Sequence, residues 1–121
     1  MPARIDLFRK LALSLPEAVE SEHMGHPDFR LNNQIFATLS AQAKGLSMVK
    51  LTPEQQSAFT TDLPDVFEPV PGGWGKMGCT HIHLAAANAD ILLGALTTAY
   101  RNLEAKQSAS RQRSLPTRKT R

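Results

Sequence analysis

The sequence predicts an α+β fold: a five-stranded antiparallel sheet with helices packed on one face, in the order α-βββ-α-ββ-α. Three observations carry this. Apolar residues recur at helical spacing near both ends of the chain. The middle is made of short alternating segments bounded by Gly, Pro and Asn. A length of 121 residues gives room for one core.

Ile5, Phe8, Leu11, Ala12 and Leu15 follow Pro2 at helical spacing, and Pro16 stops them, which predicts a first amphipathic helix. Val19–Met24 could form a strand, and Gly25-His26-Pro27-Asp28 reads as a turn. Phe29–Leu31 and Gln34–Leu39 flank Asn32-Asn33, a dipeptide that tolerates the positive φ of tight hairpins. Ile35, Ala37 and Leu39 alternate there with Gln34, Phe36 and Thr38. A further strand, Leu46–Leu51, follows a turn at Gly45.

Thr52-Pro53-Glu54-Gln55 opens a second helix, with Thr52 as cap, Pro53 at the first helical position and Gln55 completing a capping box. It ends near Leu63-Pro64. Val66–Val70 is a strand that Pro69 confines to an edge. Pro71–Gly78 reads as a loop with Trp74 as its aromatic anchor. Thr80–Leu84 alternates as a strand, with Ile82 and Leu84 directed into the core. Asn88 caps a last helix whose apolar stripe is Ile91, Leu92, Ala95, Leu96, Ala99 and Leu103.

Charge divides the chain. Residues 1–106 hold nine Lys/Arg against eleven Asp/Glu, leaving −2. Residues 107–121 hold Arg111, Arg113, Arg118, Lys119 and Arg121 with no acid, giving +5 and accounting for the overall +3. That segment is rich in Ser, Gln, Thr and Arg and is predicted to be a disordered basic tail behind a 1–106 domain. The lone Cys79 excludes an internal disulfide framework and fits a reducing, cytoplasmic setting. Arg9-Lys10 before Leu11–Leu15 imitates a signal peptide, but Pro16 ends the apolar run after five residues. The stretch from Ile82 to Tyr100 carries His83, Asn88 and Asp90, which excludes a membrane span.

Several segments, in order, resemble the MmcQ/YjbR family: Gly25-His26-Pro27-Asp28-Phe29-Arg30, Ile35-Phe36-Ala37, Met48-Val49-Lys50-Leu51, Gly73-Trp74-Gly75 and Ala99-Tyr100. The likeness covers residues 3–104. It implies a two-layer α+β domain with a five-stranded antiparallel sheet, and a role in binding DNA. One departure is local. Where members often carry tryptophan before the Thr of the late strand, this chain has Cys79 before Thr80.

Candidate sites are few. Cys79, His81 and His83 alternate along one strand and so share a sheet face, a spacing that could place three zinc ligands. No fourth ligand is nearby and the resemblance implies no metal, so no cofactor is expected. His26 beside Asp28 could form a base pair for catalysis, but no nucleophile motif accompanies it, and both residues suit a turn. Gly72-Gly73-Trp74-Gly75-Lys76 falls short of a P-loop because Met77 follows Lys76. Trp74 could stack on a base, though a loop tryptophan more often plugs the edge of a core, the favoured reading.

Arg30, Lys50 and Lys76 lie on or beside strands and could converge into a surface that tracks phosphates, with Trp74 and the five tail cations as its extension. The expected function is therefore non-enzymatic, sequence-nonspecific DNA binding by a monomer. The alternative is a protein- or small-ligand-binding module that uses the open sheet face, suggested by the acidic body and by Trp74 in its glycine-rich loop.

Overall fold

The computed structural model describes residues 2–39 and 41–114. Helix α1 (Pro2–Leu13) leads into strands β1 (Val19–His23), β2 (His26–Leu31), β3 (Gln34–Thr38) and β4 (Leu46–Lys50). Then follow α2 (Pro53–Asp62), β5 (Phe67–Pro69), the one-turn α3 (Gly73–Lys76), β6 (Cys79–His83) and α4 (Ala89–Ser114). The strands form one antiparallel sheet in the order β1-β2-β3-β4-β6-β5.

The sheet thus has six strands where five were expected, and the order is α-ββββ-α-β-α-β-α. The additional strand is β1. Its sequence, Val-Glu-Ser-Glu-His, is exposed throughout because an edge strand borders a single neighbour and needs no alternating apolar face. The turn before β2 lies at Met24-Gly25, both at positive φ, so His26, Pro27 and Asp28 belong to β2 and not to a turn. Asn32 and Asn33 also have positive φ and close the β2–β3 hairpin as their residue types predict. Pro69 sits on the edge strand β5.

Register breaks once. Phe29 pairs with Ala37 but Arg30 pairs with Ile35, so Phe36 is one residue too many in β3. This bulge turns Phe36 and Ala37 both inward, each fully buried, and places Ile35 on the opposite, open face. Simple alternation grouped Ile35 with Ala37 and Leu39 and set Phe36 with Gln34 and Thr38; the bulge instead buries Phe36 with Ala37 and Leu39 and sets Ile35 opposite them.

Three helices cover one face, and each brings an aromatic ring edge-on to a ring of the sheet. Phe8 of α1 meets Phe29 at 5.8 Å, Phe59 of α2 meets Phe67 at 5.0 Å, and Tyr100 of α4 meets Phe36 at 5.7 Å between centroids. Each such pair contributes about 1 kcal/mol beyond its buried area. Ile82 and Leu84 are buried in the same core. The capping box at Thr52 and Gln55 is formed in both directions, and Asn88 caps α4 through the Ile91 amide at 2.8 Å.

Residues 107–114, expected to be disordered, instead continue α4. Gln107 explains the continuation, because its amide donates to Leu31 O at 2.8 Å and accepts from Asn32 at 2.8 Å, fastening the helix across the β2–β3 turn. Beyond it, Ala, Gln and Arg are good helix formers, and arginines suit a helix C-terminus. Arg111 and Arg113 lie on this extension; Arg118, Lys119 and Arg121 lie outside the described residues. No helix among the described residues is long and apolar enough to cross a membrane.

Candidate functional site

Sheet register decides which side chains share the uncovered face. Ser21, Asp28, Thr38, Met48, His81 and Glu68 are mutual partners and form one row across all six strands. The next row holds Arg30 beside Ile35 on one side and Lys50 beside Cys79 on the other. Cys79, His81 and His83 do share this face, as their alternation predicts.

Three depressions adjoin here, the first on this face and the other two reaching round the end of the sheet to α4. The first, about 280 Å³, has Ile35, Thr38, Met48, Cys79 and His81 as its floor and Val70 and Trp74 as its wall. The second, about 380 Å³, lies among Arg30, Asn33, Gln34, Leu103 and Lys106. The third, about 310 Å³, runs between the end of β4 and α4, past Leu51, Met77 and Asn102. Ile35 and Lys50 line all three, so the depressions form one groove with Lys50 at its centre.

The predicted cations do not converge as expected. Arg30 and Lys50 border the same depression, but the Arg30 guanidinium is occupied. Its Nε and second amino nitrogen bond the two Asp28 carboxylate oxygens at 2.8 and 3.1 Å. Asp28 is 2% exposed. Its hydrogen bond, reinforced by its charge, raises the Arg30 pKa against the opposing effect of burial. Asp28 therefore partners Arg30 rather than His26, which is exposed. Lys76, on α3, lines none of the three depressions.

Trp74 is 63% exposed and does not plug the core; it stands over the edge of the groove. Gly75, the next residue, is buried against Val70 and holds the one-turn helix close to the sheet, which leaves the indole outside. Ile35, Met48 and Lys106 were not singled out from the sequence. Ile35 was hidden by the bulge. Lys106 had a signal, three residues after Leu103 on the same helical face.

The ion pairs among the described residues are Arg9 with Asp6 and Glu20, and Arg30 with Asp28, while His83 hydrogen-bonds Glu68; Lys50 and Lys106 belong to none. Burial pushes the Cys79 thiol up in pKa, against a downward pull from Lys50, so it is a poor thiolate. Among the described residues no group of three or more His, Cys, Asp or Glu side chains is placed to hold a metal ion, and the zinc arrangement does not form.

His81 has a lowered pKa, mainly through burial, opposed by Glu68 and aided by His83 and Lys44. Protonation therefore favours the unfolded chain, whose histidine titrates near the ordinary 6.5. Its stabilising contribution is complete above that value and is lost as the pH falls through the lowered folded value. Thermal midpoints measured from about pH 7 to about pH 5 should decline less steeply in His81→Gln than in the parent. Equal slopes would exclude this linkage.

The comparisons with known proteins bear on the fold. A family model described as YjbR matches residues 13–102. The crystal structure of Deinococcus radiodurans protein DR2400, a DUF419 domain, superposes with a TM-score of 0.71. The two are 17% identical over 97% of this chain and 95% of that one, a likeness of fold alone. No curated protein matches the chain.

Proposed function

The chain belongs to the YjbR family, and on that basis we propose that it is a non-enzymatic binding protein that works through the open face of its sheet. The observation that carries this reading is the groove centred on Lys50. It combines a mostly apolar floor, an exposed indole at one end and lysines that make no ion pair among the described residues. Binding sites are concave and mostly apolar, with a few placed polar groups, and this face has that character. The non-enzymatic reading is supported by the buried Cys79, whose thiol is held away from the thiolate form. A cytoplasmic location accords with the single free thiol.

The test is native mass spectrometry of the freshly purified full chain beside Met48→Arg, which places a bulky cation on the groove floor. A small molecule that accompanies the parent and is absent from the variant is the expected result. A molecule retained equally by both would overturn the open-face reading.

A second reading, sequence-nonspecific DNA binding, is favoured by one specific observation. Lys50 and Lys106 lie beside Arg30 at the end of the sheet where Gln107 fastens α4, and α4 continues into Arg111 and Arg113. The net −2 of residues 1–106 and the Asp28–Arg30 pair oppose it. If all five cations of residues 107–121 met phosphates, they alone would contribute about −4.5 to the slope of log K against log salt. Truncation after Lys106 should then make the slope shallower by about that amount. Absence of duplex binding by the full chain at low salt would exclude the reading.

A further inference from the structure

We infer that the groove takes a small ligand joining a planar apolar ring system to a single anionic group, the ring lying against Trp74 and the anion meeting Lys50. This rests on the open-face reading above and names the ligand class for it.

The size of the first depression, about 280 Å³, lies at the lower limit of ordinary ligand pockets. It accommodates one ring system and a head group. Its apolar surfaces are Ile35, Met48 and Val70, and the indole of Trp74 offers a flat face beside them. An indole alone would accept a neutral ring, and a cation better.

Lys50 decides the sign. It lines this depression and makes no ion pair among the described residues. Of the carboxylates on this face, Asp28 is paired with Arg30 and Glu68 is hydrogen-bonded to His83, and neither makes an ion pair with Lys50. A ligand cation would meet an ammonium with no compensating acid. A ligand anion would form a charge-assisted hydrogen bond at the margin of an apolar surface, where such bonds are strongest.

The count of charges also follows from the site. Arg30 is committed to Asp28, and burial keeps His81 neutral near pH 7, so the first depression presents one free cation among its described residues. One anionic group is matched there. Lys106 lies further along the groove and lines the second and third depressions only.

Trp74 is the only tryptophan in the chain, so its emission reports this site alone. The probes are 8-anilinonaphthalene-1-sulfonate and its uncharged counterpart N-phenyl-1-naphthylamine, titrated into the folded full chain, with amide shifts recorded on isotope-labelled protein. The sulfonate is expected to quench Trp74, shift the amides of Ile35, Met48, Lys50 and His81, and bind more tightly than the neutral probe. Lys50→Gln should weaken the sulfonate about tenfold and leave the neutral probe unchanged. Lys50→Arg should restore sulfonate binding, which separates lost charge from altered folding. Equal binding of both probes on this face, with no effect of Lys50→Gln, would overturn the anionic class and leave the open-face reading intact. Shifts confined to the helical face, or no binding of either probe at about 1 mM, would overturn both.

Discussion

Gly78→Ala is expected to destabilise the protein by about 4 kcal/mol, read as a lower midpoint in urea with an unchanged slope. Two independent causes add. Gly78 has φ +110°, a conformation that L side chains rarely adopt, and a Cβ built there would lie 1.9 Å from Leu51 O and 2.8 Å from Leu51 C. The obstacle is backbone, and the Gly78 carbonyl itself accepts the Leu51 amide at 3.2 Å, so neither strand can retreat without breaking the joint between β4 and β6. Gly75→Ala should cost about 3 kcal/mol by the same overpacking, since its Cβ would meet Val70 O at 1.8 Å. It should also shift the Trp74 emission, because it lifts the short helix that carries the indole. Gly72→Ala is the control. Its φ is +81° but the space around it is open, so about 1 kcal/mol is expected. Three equal losses would mean that the close approaches at Gly75 and Gly78 do not govern the loop.

Phe36→Ala should cost about 4 kcal/mol, the range for a fully buried aromatic truncated to alanine. The cavity would open beneath α4 and remove the edge-on contact with Tyr100, whose hydroxyl ties the helix to Pro16 O at 2.7 Å. Ile35→Ala, one residue earlier, should cost about 1 kcal/mol, because Ile35 is half-buried on the face that no helix covers. Strict alternation along the strand requires the opposite ranking. Chemical denaturation of the two variants side by side therefore tests the bulge directly, and a larger loss at Ile35 would exclude it.

Much of the fold was legible because it depends on neighbours in sequence. The capping box at Thr52 and Gln55, the Asn32-Asn33 hairpin, the edge placement of Pro69 and the inward Ile82 and Leu84 all follow from spacing within a few residues. Length, composition and helical period predicted one sheet with helices on a face, and the resemblance to the MmcQ/YjbR family identified the right family while implying five strands where the sheet has six. The features that were left open, the strand at Val19–His23, or missed, the end of α4, are of another kind. The polar strand β1 and the continuation of α4 past residue 106 are stabilised by partners in other elements, the first through its pairing with β2 and the second through Gln107 on the β2–β3 turn.

The candidate site divides the same way. From sequence alone, Cys79, His81 and His83 were placed on one face, and Lys50 and Trp74 were marked as residues that could touch a ligand. Only the tertiary structure decided what each does. It neutralised Arg30 with a buried Asp28, set Lys76 apart, exposed Trp74, and brought Lys106 from a distant helix alongside Lys50. The physical reason is that side-chain periodicity is a property of the local backbone. Whether a charge is free or spent, and whether a ring is covered or bare, depends on which strands lie alongside and where a single extra residue shifts their register.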